Sequence, residues 1–233
     1  AHARRACLRA GGRCYHSRVF SRPLSGVMAG TVLRDRGRGR AAGLGLCCGL
    51  GLLAFGVAEA GQVLQLPETG GYVELPSGVF AGCSNFTVEA WVRWDRLGGQ
   101  TRRVFHHRSE SGQVGISAQP NGSLVLAIVT PTGSVVAQSA SHLVQAGAWY
   151  HLAGVSDAGG LRLHLNGSLV ATNAALKLPG PWRTGDNLVG RRIPAAIEDV
   201  PFVGELDDLR VWRTARTAAQ IAADRSGPPA AED

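Results

Sequence analysis

Phe86-Thr87-Val88-Glu89-Ala90-Trp91-Val92-Arg93-Trp94 is the stretch on which the fold turns. Phe86, Val88, Ala90, Val92 and Trp94 recur at every second position, and Thr87, Glu89, Trp91 and Arg93 fill the alternate ones. Successive side chains of a strand point to opposite faces, so this spacing describes a strand with one apolar face. An apolar sheet face must be covered by a second layer. Val203 to Trp212 (VGELDDLRVW) repeats the pattern near the other end of the module. Shorter runs of the same kind are Tyr72–Leu75, Val104–His107, Val114–Ala118, Leu124–Val129, Val135–Gln138, Tyr150–Val155, Leu161–Leu165, Leu169–Thr172 and Leu188–Gly190.

Turn residues separate these runs. Asn166-Gly167 stands between LRLHL and SLVAT, where a type I′ hairpin turn needs positive φ at both central residues. Pro120-Asn121-Gly122 and Pro131-Thr132-Gly133 punctuate earlier strands. The pattern predicts an all-β fold, a two-sheet antiparallel jellyroll sandwich. One short C-terminal helix is predicted after Thr217, because Thr217-Ala218-Ala219-Gln220 has the form of a capping box, and Gly227-Pro228-Pro229 stops the helix after about Asp224.

The formal charge of +7 belongs to the first part of the chain. Residues 1–60 carry 10 arginines against Asp35 and Glu59, while residues 61–233 carry 14 Lys and Arg against 15 Asp and Glu. A module of net charge −1 has no basic footprint for nucleic acid. From the only methionine, Met28, the leader runs through Arg34, Arg36, Arg38 and Arg40 into an apolar and glycine-rich run, Ala41 to Ala58. Ala58-Glu59-Ala60 then offers small residues where a signal peptidase reads. Residues 28–60 are accordingly expected to be a signal peptide. A membrane anchor and, through Cys47-Cys48, a lipoprotein signal are the competing readings. Residues 1–27 are expected to be a non-native upstream segment, 61–226 the folded module, and 227–233 the start of a linker. Beyond the leader only Cys83 remains, so no internal disulfide is available and the module must rest on its core.

The ordered motifs resemble the laminin-G-like jellyroll domains of the concanavalin A-like lectin/glucanase superfamily. The resemblance is carried by Gly71-Tyr72-Val73-Glu74-Leu75-Pro76, Phe86 to Trp91, Trp149-Tyr150-His151-Leu152, Leu165-Asn166-Gly167, and Gly204 to Trp212 with the capped helix behind it. It implies a non-catalytic domain on secreted, periplasmic or cell-surface proteins, often holding calcium, with a glycan or a protein surface as partner. It also implies structural roles for Trp149, His151, Glu89 and Trp91.

Calcium prefers several hard oxygen ligands. Asp207 and Asp208, at the acidic position of the last strand, are the candidate metal ligands, together with Glu68, where relatives often carry Asp. Trp182 is the candidate ligand-binding residue: an aromatic in the 179–186 loop that could stack on a sugar ring, the alternative being burial as a loop anchor. The 97–103 loop is the second candidate for a binding loop. A glycosidase needs two carboxylates about 5–9 Å apart. Glu205-Leu206-Asp207 imitates the start of a laminarinase-type motif, but Arg210 stands where its third acid belongs. His106 and His107 are adjacent on a strand, so their rings point to opposite faces and cannot chelate one ion together. Arg102-Arg103 and Arg191-Arg192 are expected to be solvated edges. The Arg-, Ala- and Gly-rich leader reads as bacterial, so the sequons at Asn85, Asn121 and Asn166 are expected to stay unmodified.

These features point to an exported, non-catalytic binding module at the N-terminus of a larger envelope or extracellular protein, without a membrane span in the mature domain. A purely architectural spacer is the alternative, and a glycoside hydrolase of the same fold a second.

Overall fold

The computed structural model describes residues 5–10, 13–21, 33–35, 62–68, 70–174, 181–192 and 199–225. The apolar run of the expected signal peptide, its cleavage site, and the linker start at 227–233 lie outside the described residues. In chain order the strands are β1 (Arg5–Ala10), β2 (Arg13–Ser21), β3 (Leu33–Asp35), β4 (Gln62–Leu66), β5 (Gly71–Leu75), β6 (Phe86–Trp94), β7 (Thr101–Ser109) and β8 (Gly112–Ala118). They continue as β9 (Leu124–Thr130), β10 (Gly133–Gln138), β11 (Trp149–Asp157), β12 (Gly160–Leu165), β13 (Ser168–Asn173), β14 (Asp186–Val189), β15 (Asp199–Val200) and β16 (Gly204–Trp212), followed by the helix α1 (Ala218–Asp224).

Two antiparallel layers result. The first has the order β10-β9-β8-β7-β14-β5, and the second β16-β6-β11-β12-β13, with β4 added on β16. The backbone of β2 pairs antiparallel with β5, and that of β1 pairs parallel with β16, so a hairpin from residues 1–27 joins the sheets along one seam. A strand there supplies partners to the two edges that β5 and β16 otherwise present. At the opposite seam Asn173 Nδ2 donates to the Val136 carbonyl at 2.8 Å, tying β13 to β10.

The alternation read from β6 is realised. Phe86, Val88, Ala90, Val92 and Trp94 are all buried in the core, with Phe80, Phe105, Ile116, Leu126, Leu152 and Phe202 around them. Phe80 and Phe86 meet edge to face, ring centroids 5.0 Å apart. The layers approach closely where Gly154 faces inward: a Cβ there would lie 2.9 Å from Ile116 Cδ1 of the other sheet. Asn166 and Gly167 adopt φ of 51° and 83°, as the hairpin requires. The capping box forms, with Gln220 N donating to Thr217 Oγ1 at 3.2 Å and Thr217 N to Gln220 Oε1 at 2.8 Å.

Candidate functional site

The first sheet turns one face to the core and the other away from it, and the outward face carries most of the polar chemistry. In β8, Val114 and Ile116 belong to the core, so Gln113, Gly115 and Ser117 point outward. A bulge between Arg103 and Phe105 lets Val104 and Phe105 both enter the core and leaves Arg103 and His106 outside it. His106 pairs across the ladder with Gly115. A Cβ at 115 would lie 2.5 Å from Arg103 Nη1, so the glycine is what allows this guanidinium to lie flat on the strand. Alongside it, His106 Nε2 meets Gln113 Oε1 at 3.3 Å, Thr101 Oγ1 donates to Gln119 Oε1 at 3.0 Å, and Gln119 Nε2 donates to Ser117 Oγ at 3.4 Å.

This polar ladder is flanked by apolar groups. Val125, Ala127 and Val129 of β9 stand opposite Ser117, Gly115 and Gln113, and Val136 of β10 stands opposite Ala127. Val129 and Val136 are 43% and 41% exposed. On the far flank Leu188 stands opposite His106, and Arg191 lies over the Tyr72 ring at 5.5 Å. β7 to β10 contain no Asp or Glu. The face therefore combines buried His106 and Ser117 with half-buried Arg103 and Gln113, and turns the exposed methyl groups of Val129 and Val136 to solvent beside them, a mixture that suits a saccharide or a protein surface.

His107 points the other way. Its Nδ1 meets Asn187 Oδ1 at 2.8 Å, and its ring packs on Phe80 and Trp182 at 4.8 and 5.3 Å. Asn187 Nδ2 already donates to the carbonyls of Pro76 and Gly185, so its oxygen accepts and His107 carries its proton on Nδ1. Burial holds this imidazole below the usual histidine range, against the opposing effect of the Asn187 bond.

The outward face of the second sheet is used differently. Glu89 is buried; its Oε1 accepts from Trp212 Nε1 at 2.7 Å and lies 3.7 Å from Arg210 Nη1, and its Oε2 lies 3.6 Å from His151 Nε2. Arg210 donates to the Asp224 carbonyl at 3.0 Å, and Arg216, stacked 4.1 Å over Trp212, pairs with Asp224 at 2.6 Å. Ile221 packs on Ala153 and Val155. These contacts fasten α1 to the sheet. Burial raises the Glu89 carboxyl above its usual range, and burial with the nearby Arg210 and Arg225 pushes His151 down to about 4.

Several expected sites look different in three dimensions. Trp182 is 1% exposed and unavailable for stacking. Its carbonyl accepts from Gly82 N at 2.7 Å, its own N donates to the Cys83 carbonyl at 3.0 Å, and its ring meets Phe86 and His107, so it is the loop anchor. Residues 179–180 of its loop lie outside the described residues. Asp207, Asp208 and Glu68 do not converge. The register Gly204↔Leu66 sets Glu68 beyond the end of the ladder, about 17 Å along the strand direction from Asp207 at about 3.4 Å per residue. Glu68 is ion-paired with Arg96, Asp207 Oδ1 accepts from Asp208 N at 2.9 Å, and Asp208 is an exposed bulge residue at φ 49°. Among the described residues no three His, Cys, Asp or Glu side chains could share a metal ion, so the three acids named do not fit calcium. Nor is the Arg102-Arg103 pair a solvated edge: β7 lies between β8 and β14, and Arg102 is buried, while Arg191 and Arg192 are half-buried just past the end of β14. Glu205 and Asp207 do share a face, with Glu205 bound to Arg93 Nε at 2.9 Å.

The Arg103–Gly115 arrangement was not read from the sequence, although a glycine at an outward position of VGIS is a detectable signal. Among the described residues no helix is long and apolar enough to cross a membrane.

Comparison with known proteins places the fold. Residues 67–222 match a family model described as the concanavalin A-like lectin/glucanases superfamily. No curated protein sequence matches. Domain 4 of AbnA, an extracellular arabinanase of Geobacillus stearothermophilus solved with arabinotriose, superposes with a TM-score of 0.62 at 17% identity, covering 89% of this chain and 87% of its own. The sialidase CBM40 of Ruminococcus gnavus, bound to sialyllactose, gives 0.59 at 14% identity over 70% of this chain and 95% of its own. Trypanosoma rangeli sialidase gives 0.53 at 13% over 70% of this chain and 29% of its own. At such identities the likeness is one of fold.

Proposed function

The chain belongs to the concanavalin A-like lectin/glucanases superfamily through residues 67–222, and on that premise we propose that it is an exported, non-catalytic binding module of a larger protein, taking a glycan or a protein surface on the outward face of its first sheet. The observation that carries this is the Arg103 guanidinium laid over Gly115 beside the Gln113–His106 and Ser117–Gln119 pairs, with Val129 and Val136 exposed next to them. Structural relatives that bind arabinotriose and sialyllactose support a carbohydrate ligand. The non-catalytic reading is supported by Glu205, whose carboxylate is committed to Arg93 at 2.9 Å, and by Arg210 in place of a third acid.

The test is a glycan array probed with the 233-residue chain, with calcium and with chelator, beside Val129→Arg and Gly115→Leu variants. Val129→Arg sets a long cation on the exposed face without touching the core, and Gly115→Leu displaces Arg103. Array hits that both variants abolish at an unchanged Tm are the expected result. Silence from the folded chain in both conditions favours the architectural spacer, and hits that survive both variants remove the site from this face.

A further inference from the structure

An edge strand presents a row of backbone N–H and C=O groups to any other chain, so the two open sides of a sandwich need covering. On one side β13 and β10 meet through Asn173 and Val136. On the other, β5 and β16 are covered by the β1–β2 hairpin, in the strand order β14-β5-β2-β1-β16-β6. β5 has little that would blunt an uncovered edge: Gly71-Tyr72-Val73-Glu74-Leu75 contains no proline, lysine or register shift, and its one charge is Glu74. The strand is built to have a neighbour on that side.

The register of that neighbour is specific. It sets Arg18 opposite Glu74, Val19 opposite Val73 and Phe20 opposite Tyr72. Glu74 is exposed, and Val73 belongs to the core. A cation thus stands across from an anion, an aliphatic residue from a core residue, and an aromatic from an aromatic, each a favourable cross-strand pairing. A slip by one residue would set Arg18 opposite Val73 or Leu75 instead. The contact with β16 is shorter and less favourable, with Ala10 opposite Val211 but Arg9 opposite Arg210. β5 is therefore the anchoring edge. The hairpin also lies upstream of Ala58-Glu59-Ala60, so a cut at that expected peptidase site severs it from the module it completes.

We propose that the seam between β5 and β16 is a strand-acceptor site whose occupant is the hairpin of residues 5–21, and that a cut before Gly61 turns this occupant from a part of the chain into an exchangeable peptide. Main-chain hydrogen bonds to an open edge supply the affinity of an added strand, and the side chains at alternate positions supply its selectivity. In the whole chain the hairpin is tethered, which keeps its effective concentration at the seam high and excludes competitors. Once cut, it is held by its own affinity alone, and the same hairpin from a second copy can take its place. The site is independent of the glycan reading. Only the position of the cut comes from the expected signal peptide, and a placed cut substitutes for it in the test.

The 233-residue chain is made with a specific protease site inserted between Ala60 and Gly61, folded, and cut in place. Size-exclusion chromatography follows fragment 1–60, and fluorescence anisotropy follows a labelled peptide of residues 5–21. The fragment is expected to co-elute with the rest, and the peptide to bind saturably to the cut protein but not to the uncut chain. Val19→Pro removes a donor from the middle of β2 and should release the fragment on cutting. An Arg18→Glu peptide should bind about fivefold more weakly and recover on a Glu74→Arg chain, since residue 74 is exposed. Release of the parent fragment without peptide binding overturns the proposal. So does co-elution that Val19→Pro leaves intact, which would assign the association to the apolar run 41–58. Co-elution without peptide binding overturns the exchange, and equal binding of both peptides to both chains overturns the register. Amide hydrogen exchange in the uncut chain gives an independent reading: Val19→Pro should speed exchange in β5 and leave Val114 and Ile116 of β8 unchanged, and unaltered protection of β5 removes the hairpin from the seam.

Discussion

Replacing Trp182 by alanine separates a buried anchor from a sugar platform. The indole is 1% exposed and is wedged against Phe86 and His107, with centroids 6.4 and 5.3 Å away. An aromatic side chain of this kind buries about 150–250 Å², which at about 25 cal/mol per Å² corresponds to about 4–6 kcal/mol of transfer free energy. Alanine keeps a small part of that and leaves a cavity, so the expected loss is about 3–5 kcal/mol. For a module of this size about 2–4 °C is lost per kcal/mol, so Tm should fall by about 6–20 °C. Trp182→Phe is the informative companion. The indole Nε1–H has no hydrogen-bond partner, so phenylalanine sacrifices packing volume only and should cost about 1–2 kcal/mol. Thermal unfolding followed by circular dichroism reads both, and the array reads binding in parallel. An alanine variant with unchanged Tm and lost glycan binding would refute the anchor assignment and restore the surface-stacking role.

Other outcomes are specified as closely. Three buried histidines, His107, His151 and His164, are held below their usual range chiefly by burial. Their folded forms stay neutral while the unfolded chain takes up protons, so stability is full above about pH 6.5 and falls as the pH is lowered; for His151 the fall continues to about pH 4 and amounts to about 3 kcal/mol. Glu89, raised by burial, works in the opposite sense, its contribution declining as pH rises from the usual glutamate range to its higher folded value. Urea unfolding from pH 4 to 7 should show a positive slope that His151→Gln reduces; an identical slope in the variant would remove His151 from the account. Gly204→Ala should destabilise by at least about 1–3 kcal/mol, because φ is 148° and the new methyl overlaps the Arg93 carbonyl oxygen, and a Tm equal to that of the parent would contradict this geometry. Thr217→Ala removes one half of the capping box and should cost about 1 kcal/mol, read as a small drop in the urea midpoint.

The sequence by itself determined the layer structure. Period-two alternation, Asn-Gly at a hairpin and a capping box are local signals, each expressed within a few residues, and the β6 faces, the Asn166-Gly167 turn and α1 all follow from them. The opposed rings of His106 and His107 were legible for the same reason. β4 was not, because its strand character comes from pairing with β16 rather than from its own pattern. The exposure of Trp182 and the separation of Glu68 from Asp207 depend on which segments meet across the sandwich, and no local spacing encodes that. The tertiary structure alone decided that Trp182 is pinned by Gly82 and Cys83, that Arg103 fills the space over Gly115, and that Arg102 is buried. Alternation assigns a side chain to a face; what lies beyond that face is set by register and by contacts between residues far apart in the chain.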